Sequence, residues 1–334
     1  TLFARSCFNR ELGLFIRFEV SIKSLKENIQ YQSIIFLVIG GFLLAFQDGL
    51  VKFASDGTSF WQFQTLRSGC NFLLLILVPL FLSIKLAVLK PMNIPKVAVR
   101  TVFLILCMFC FFCAAPALTF AEMAVGLYTY PIFVVIFAIF LLKEKTNYLK
   151  ISALLLGILG AGLVLKPWTV DFSTIQMLPV LAGFFYACNL FVLRKYCSNE
   201  SPLAMTFAVA IGFMISGLLG GYVVDNFVAD EAFRENMPFI ATGWPDLTSF
   251  AIFIAIVASL FNLSGNLCLV KAYQTSESSF LAPLDYLYLI FALFWGKVMF
   301  NTLPDSMGLL GIFFILLSGV TVAIQATKTG KNVL

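Results

Sequence analysis

"FLLLILVPLFL" (72–82) holds no charged side chain and no side chain able to donate a hydrogen bond. Read as a helix it is apolar on every face. Such a helix either fills a large core or crosses a membrane. "IGFMISGLLGGYVV" (211–224) reads the same way. Hydrophobic residues make up 60% of the 334-residue chain and charged residues 12%, where a soluble domain carries about 25% charged. A span takes roughly 20 apolar residues. Runs of that length fall at 34–53, 60–82, 97–118, 121–142, 148–165, 175–193, 202–224, 247–270, 276–300 and 304–326. The expected fold is an all-α integral membrane protein with ten transmembrane helices.

Little chain is left over for a soluble catalytic domain, and the longest connection runs from about Asp225 to Asp246. The net charge of +5 is spread over loops, so no nucleic-acid surface is expected. There is no histidine, and Cys107, Cys110 and Cys113 read as small packing residues on one helix; no metal site, catalytic cluster or cofactor is expected. Residues 1–33 read as a cytoplasmic tail. Phe8, Leu12, Phe15, Ile22, Leu25 and Ile29 fall near helical spacing among Arg5, Arg10, Arg17, Lys23 and Lys26, which fits an interfacial helix. Acidic residues interrupt it, unlike a signal peptide.

Most of the 22 basic residues fall on one side if the N-terminus is cytoplasmic: the tail, 85–100, 143–150, 194–195, Lys271 and 328–331. The acidic 225–246 connection falls on the other. By the positive-inside rule both termini are cytoplasmic, with residues 327–334 a second short tail.

"ALTFAE" (117–122) and "AYQTSE" (272–277) share an Ala and a Glu at one spacing, and each leads to a small-residue closing helix: "ALLLGILGAGLVL" (153–165) and "GIFFILLSGVTVA" (311–323). The chain therefore reads as two copies of one five-helix unit, 34–166 and 167–326. Five is odd, so the second copy must be inserted upside down. Inverted repeats place a solute site near the midplane between the copies.

At these residues the chain resembles the drug/metabolite transporter superfamily, in its ten-helix EamA-like branch. The resemblance rests on "LYTYPIFVVIFAIFLLKEKTNYLKISALLLGILGAGLVLKP" (127–167), on "APLDYLYLIFALFWGKVMFNTLPDSMGLLGIFFILLSG" (282–319) and on "DGLVKFASDGTSFWQFQTLRSG" (48–69). It covers about residues 33–326. In one departure, Thr302 stands where a second-half acid should match Glu144. The resemblance implies a metabolite carrier in a bacterial inner membrane or a related one, with no particular substrate.

A charge near the bilayer centre costs about 2.5–3.5 kcal/mol on insertion scales, so each polar residue in a span needs a reason. Asp48 and Lys52 can pair at i, i+4, or serve transport directly. Arg67 cannot lose its charge and needs Asp48, Glu122 or an anionic solute; Gln62 and Gln64 flank it. Glu122 either caps helix 4 or faces a central cavity. Asp285 in "APLDYLY" is the sharpest candidate for a proton or ligand, with Pro283 freeing a carbonyl and Tyr286 and Tyr288 supplying hydroxyls. Asn189, Asn262 and Asn266 either bond helices together or line a pocket. Tyr128, Tyr130, Tyr186, Trp61 and Trp295 can sandwich a planar or cationic ligand. Glu144 reads as a turn or gate residue, and Pro131 and Pro283 as helix breaks. Gly157, Gly160, Gly162, Gly308, Gly311 and Gly319 permit close helix approach and a homodimer contact.

These residues point to a secondary transporter of a small polar solute working by alternating access: an amino acid or derivative, or a vitamin- or nucleoside-like compound. No phosphate-cradling loop for ATP occurs, so ion coupling or exchange is expected. A receptor or assembly protein, or a membrane-embedded enzyme, are the rival readings.

Overall fold

A computed structural model describes residues 31–55, 57–81, 86–141, 148–170, 172–227, 234, 237–275, 281 and 284–328. The interfacial helix expected over the first 30 residues, Glu144, Glu277 and Pro283 lie outside them. Regular structure among the described residues is helical: α1 Tyr31–Ala54, α2 Phe60–Phe81, α3 Ile94–Cys113, α4 Phe120–Leu127, α5 Tyr130–Phe140, α6 Tyr148–Leu165, α7 Leu178–Tyr196, α8 Pro202–Phe227, α9 Ser249–Thr275, α10 Leu287–Phe300 and α11 Ser306–Lys328. Among the described residues, six helical segments are long and apolar enough to cross a membrane: Tyr31–Ala54, Ile94–Cys113, Phe120–Phe137, Thr174–Tyr196, Pro202–Phe227 and Ser249–Tyr273. Shorter apolar helices lie at Ile151–Leu165, Leu287–Phe300 and Ser306–Thr321.

The run expected as one helix over 121–142 is broken. Pro131, in the first turn of α5, has no N–H to give to a helix coming from α4. The backbone tightens there: Thr129 N–H bonds to Gly126 O at 3.2 Å and Ile132 N–H to Thr129 O at 2.9 Å. The carbonyls of Gly126 and Leu127 at this break face Gly183 of α7, where a Cβ would sit 3.1 and 2.9 Å from them. Only a glycine lets α7 lie so close. The run expected over 276–300 is broken as well, with a turn at Tyr286 before α10. Tyr128 and Tyr130 stand around the first break as Tyr286 and Tyr288 stand around the second. Thr302 closes α10 by bonding back to Gly296 O through its N–H (3.2 Å) and its hydroxyl (3.4 Å). Asn301 there adopts the left-handed conformation, φ 53°, which its short polar side chain tolerates.

The equivalent helices of the two halves pack against each other, and they run antiparallel. Along α6 and α11, Ser318 Oγ donates to Ala153 O at 2.5 Å, a Cβ on Gly160 would lie 2.6 Å from Gly311 O, and Lys166 Nζ meets Asp305 Oδ2 at 2.7 Å. The sequence shift that carries Tyr128 onto Tyr286 also carries Gly160 onto Ser318 and Ala153 onto Gly311. The two close approaches are thus one contact seen twice. Along α2 and α8, Trp61 faces Gly220, Thr65 faces Gly217 and Arg67 lies over Phe213, again in opposite order. A two-fold that exchanges antiparallel helices has its axis perpendicular to them, so the halves are inverted copies. Of the glycines of the closing helices, Gly157, Gly160 and Gly311 are used where α6 meets α11, Gly319 is covered by the ring of Tyr286, Gly308 lies against Pro304, and Gly162 faces Trp168 at an ordinary distance.

Asp305 caps α11 by accepting from Gly308 N–H at 3.0 Å. The hydrogen bond from Lys166, and then that from Gly308, hold its carboxyl below the usual carboxylate range. A lowered native pKa gives stability that is present above the unfolded value, about 3.9 for Asp, and is lost as pH falls through the native one. The contact is exposed and its contribution is small. Asp305→Asn is expected to flatten the fall in melting temperature between pH 5 and pH 3; an unchanged slope would remove the contact from the acid response.

Candidate functional site

The two breaks meet in the middle of the molecule. Tyr128 OH donates to the backbone carbonyl of Asp285 at 3.0 Å, one of the acceptors a broken helix leaves over. Tyr273, near the end of α9, donates its hydroxyl to the Asp285 carboxylate. Tyr128 stacks on Tyr288 (centroids 5.3 Å apart, planes at 15°) and meets Tyr286 and Tyr130 edge-on at 5.7 Å each. Tyr130 meets Tyr186 of α7 at 5.0 Å. Of ten tyrosines in the chain, Tyr128, Tyr130, Tyr186, Tyr273, Tyr286 and Tyr288 gather here, on elements from both halves. The 38 phenylalanines would serve packing alone. Tyrosines offer ring faces and hydroxyls together. A crevice lined by Tyr128, Pro131, Ile132, Gly157, Tyr286 and Ser318 opens beside them, with room for about one water.

Tyr288 ties this cluster to the second carboxylate, donating to Asp48 Oδ2 at 2.5 Å. Asp48 Oδ1 accepts from Gln47 Nε2 at 3.1 Å. Gln47 Oε1 accepts from Asn262 Nδ2 at 2.6 Å, Asn262 Oδ1 from Asn71 Nδ2 at 3.3 Å, and Asn71 Oδ1 from Ser259 Oγ at 2.8 Å. One polar line therefore runs through α9, α2, α1 and α10. An ionised carboxylate only accepts, so Gln47 must turn its NH2 to Asp48, and every amide behind it is oriented in turn.

The other residues expected at a site are placed as follows. Arg67 is 5% exposed, lies within electrostatic range of Asp48 and leaves its Nε–H without a hydrogen-bond partner among the described residues. Gln64, one turn earlier on the same face of α2, is 1% exposed and both its amide atoms lack a partner among the described residues. Asn189 is buried and its Oδ1 is likewise unmatched. Lys52 turns to the connection between α3 and α4, donating to the backbone carbonyls of Ala115 and of Leu118 (2.7 Å). Glu122 closes a capping box: its Oε2 accepts from Thr119 N–H at 2.8 Å and from the hydroxyl at 2.7 Å, the bonds that the capping alternative calls for. Asn266 bonds back to Asn262 O at 2.8 Å within its own helix. Gln62 donates to Pro245 O at 2.6 Å and Trp61 to Ile240 O at 2.7 Å, so both anchor the 225–246 connection. Trp295 packs on Phe42 and Phe46. Sequence reasoning passed over Gln47, Asn71 and Tyr273. The repeated Tyr-x-Tyr at 128–130 and 286–288 was the signal for the cluster's centre; Tyr273, read only as part of "AYQTSE", had none.

A model of the EamA-like transporter family matches residues 32–166 and again 174–324. Among characterised proteins, the riboflavin transporter of Vibrio cholerae is 27% identical over 62% of this chain and 63% of its own length. The pseudopaline exporter CntI of Pseudomonas aeruginosa is 22% identical over 89% of this chain and 97% of its own. The S-adenosylmethionine uptake transporter of Rickettsia bellii is 25% identical over 57% and 58%.

Proposed function

The chain belongs to the EamA-like transporter family, and from that premise we propose that it moves a small solute with a planar aromatic part and polar or charged groups across the membrane by alternating access. It is a multi-pass membrane protein whose relatives carry small molecules. The observation that carries the substrate class is the tyrosine cluster around Asp285, at the junction of the two broken helices. Stacked and edge-on rings give flat faces for a heteroaromatic ring, and the half-buried carboxylate beside them can hold a proton or a cationic group. A vitamin- or nucleoside-like solute uses all of these features, and an amino acid uses fewer. Named relatives run in both directions, uptake and export, so direction is not inherited from the family.

In this reading ten spans cross the bilayer, α4 with α5 forming one and the segment before α10 joining it to form another. Both termini are cytoplasmic, in a bacterial inner membrane. A gradient or a counter-solute supplies the energy, with Asp48 and Asp285 as the coupling carboxylates.

The test is movement of labelled riboflavin, S-adenosylmethionine and amino acids into or out of proteoliposomes, with and without a pH gradient. A saturable flux of one of the heterocyclic solutes supports the reading. Flux of amino acids alone would move the substrate class, and binding without flux would favour a receptor. The Tyr286 ring rests on Gly319, where a Cβ would come 2.1 Å from it. Gly319→Ala must shift that ring, and is expected to raise KM several-fold with little change in maximal flux, because positioning and not chemistry is altered. An unchanged KM would place Tyr286 outside the binding surface.

A further inference from the structure

Most buried and half-buried amides in this protein find partners: Gln47, Gln62, Asn71 and Asn262 all hydrogen-bond on the inside, while Asn189 leaves its Oδ1 unmatched among the described residues. Gln64 leaves both ends of its amide so. It is 1% exposed, and neither its oxygen nor its nitrogen reaches a described protein group. Leaving such a group unmatched is costly, and glutamine is not needed to fill space on an apolar helix face. Arg67, three residues on and so on the same helix face, is 5% exposed and also holds an N–H in reserve, on Nε. Asp48 already lies within electrostatic range of the guanidinium, so a counter-charge is not the first thing this pair lacks. It lacks hydrogen-bonding partners: an acceptor and a donor side by side for the Gln64 amide, and an acceptor for the Arg67 Nε–H.

We propose that Gln64 and Arg67 form a subsite that reads the edge of a planar nitrogen heterocycle, one carrying an N–H beside a carbonyl or ring-nitrogen acceptor. A carboxamide side chain matches such an edge with two parallel hydrogen bonds, as glutamine does with adenine. The arginine Nε–H takes the neighbouring carbonyl or ring nitrogen. The inference rests on the transporter reading above and names the part of the solute that enters first-half helix α2, while the tyrosine cluster takes its faces. Because Gln64 is closed over in this state, the edge is read only when α2 is uncovered, as one half swings from the other.

The test uses the full-length purified protein and two probe pairs: riboflavin with N3-methylriboflavin, and adenosine with N6,N6-dimethyladenosine. In each pair the methylated form has lost the donor of the edge. Affinity is read by equilibrium binding, and ligand-free melting temperature is read alongside it. The wild type is expected to bind one parent compound at least tenfold more tightly than its methylated form. Gln64→Leu is expected to weaken the parent by about the same factor, to leave the methylated form unchanged, and to melt at a higher temperature without ligand, because an unmatched amide has been removed. Gln64→Glu, close in shape and still able to accept from the ligand N–H, guards against a general packing effect: it should keep the preference for the parent compound that Gln64→Leu loses. Discrimination that survives in Gln64→Leu overturns the subsite. So does a protein that binds neither pair yet binds and transports another stacked solute; in that case the transporter reading stands. A folded protein that moves no solute of any class strikes the transporter reading itself.

Discussion

Asp285→Asn is expected to cut transport by about 10- to 100-fold, the range for a hydrogen bond or ion pair to a charged group lost from the working state. The substitution keeps the volume of the side chain and still accepts from Tyr273 OH, so expression and melting temperature should hold. What it removes is the charge at the meeting point of the broken helices. Ionisable groups inside a membrane protein are costly and persist where a solute or ion needs them. The measurement is initial flux into proteoliposomes at matched protein content, with Tyr273→Phe alongside. Tyr273→Phe removes one donor to the carboxylate and should give a smaller loss. Full flux in Asp285→Asn, with its melting temperature unchanged, would leave the carboxylate a structural role only.

Gly160→Ala is expected to lower the melting temperature by several degrees. The added Cβ would lie 2.6 Å from the carbonyl oxygen of Gly311 and 3.0 Å from the N–H of Ile315. Both are backbone, and backbone cannot step aside as a flexible side chain can. The helices must part along their whole crossing, and overpacking of this kind costs about 1–3 kcal/mol. In a bilayer, where lipid is as apolar as leucine, close packing of small residues is a large part of what holds helices together. Gly162→Ala is the control, since its Cβ would meet a ring atom of Trp168 at an ordinary 3.6 Å. Equal melting temperatures for the two variants would mean that α6 and α11 are not held by this approach.

The membrane fold was legible because it rests on composition and run length, which do not depend on knowing the neighbours. The inverted repeat was read from one landmark, Ala117–Glu122 against Ala272–Glu277, which stands three residues out of the register that carries Tyr128 onto Tyr286; its first Glu serves a local cap and its second lies outside the described residues. The stronger evidence was in the tyrosines and in the small residues of the closing helices, whose meaning appears only when the two copies are folded back to back. Asp48, Arg67 and Asp285 stood out because a charge in an apolar run is costly wherever it lies. The amides did not. Gln47 and Asn71 look like any polar residue near a helix centre, and only the packing of α1, α2 and α9 shows that they form one line. The same holds for Lys52, whose neighbour at i−4 is Asp48 but whose ammonium turns to backbone carbonyls in the connection between α3 and α4. Spacing within one helix cannot see across to the next.

The line from Ser259 to Tyr288 passes back and forth between the halves. Ser259 to Asn71, Asn71 to Asn262, Asn262 to Gln47 and Tyr288 to Asp48 each join a first-half helix to a second-half one; only Gln47 to Asp48 lies within a single helix. Such bonds polarise one another, and in hydrocarbon none has water to fall back on. Parting the two halves would break four of the five bonds in this line, so the seam sets a cost on their separation that bonds within one helix would not.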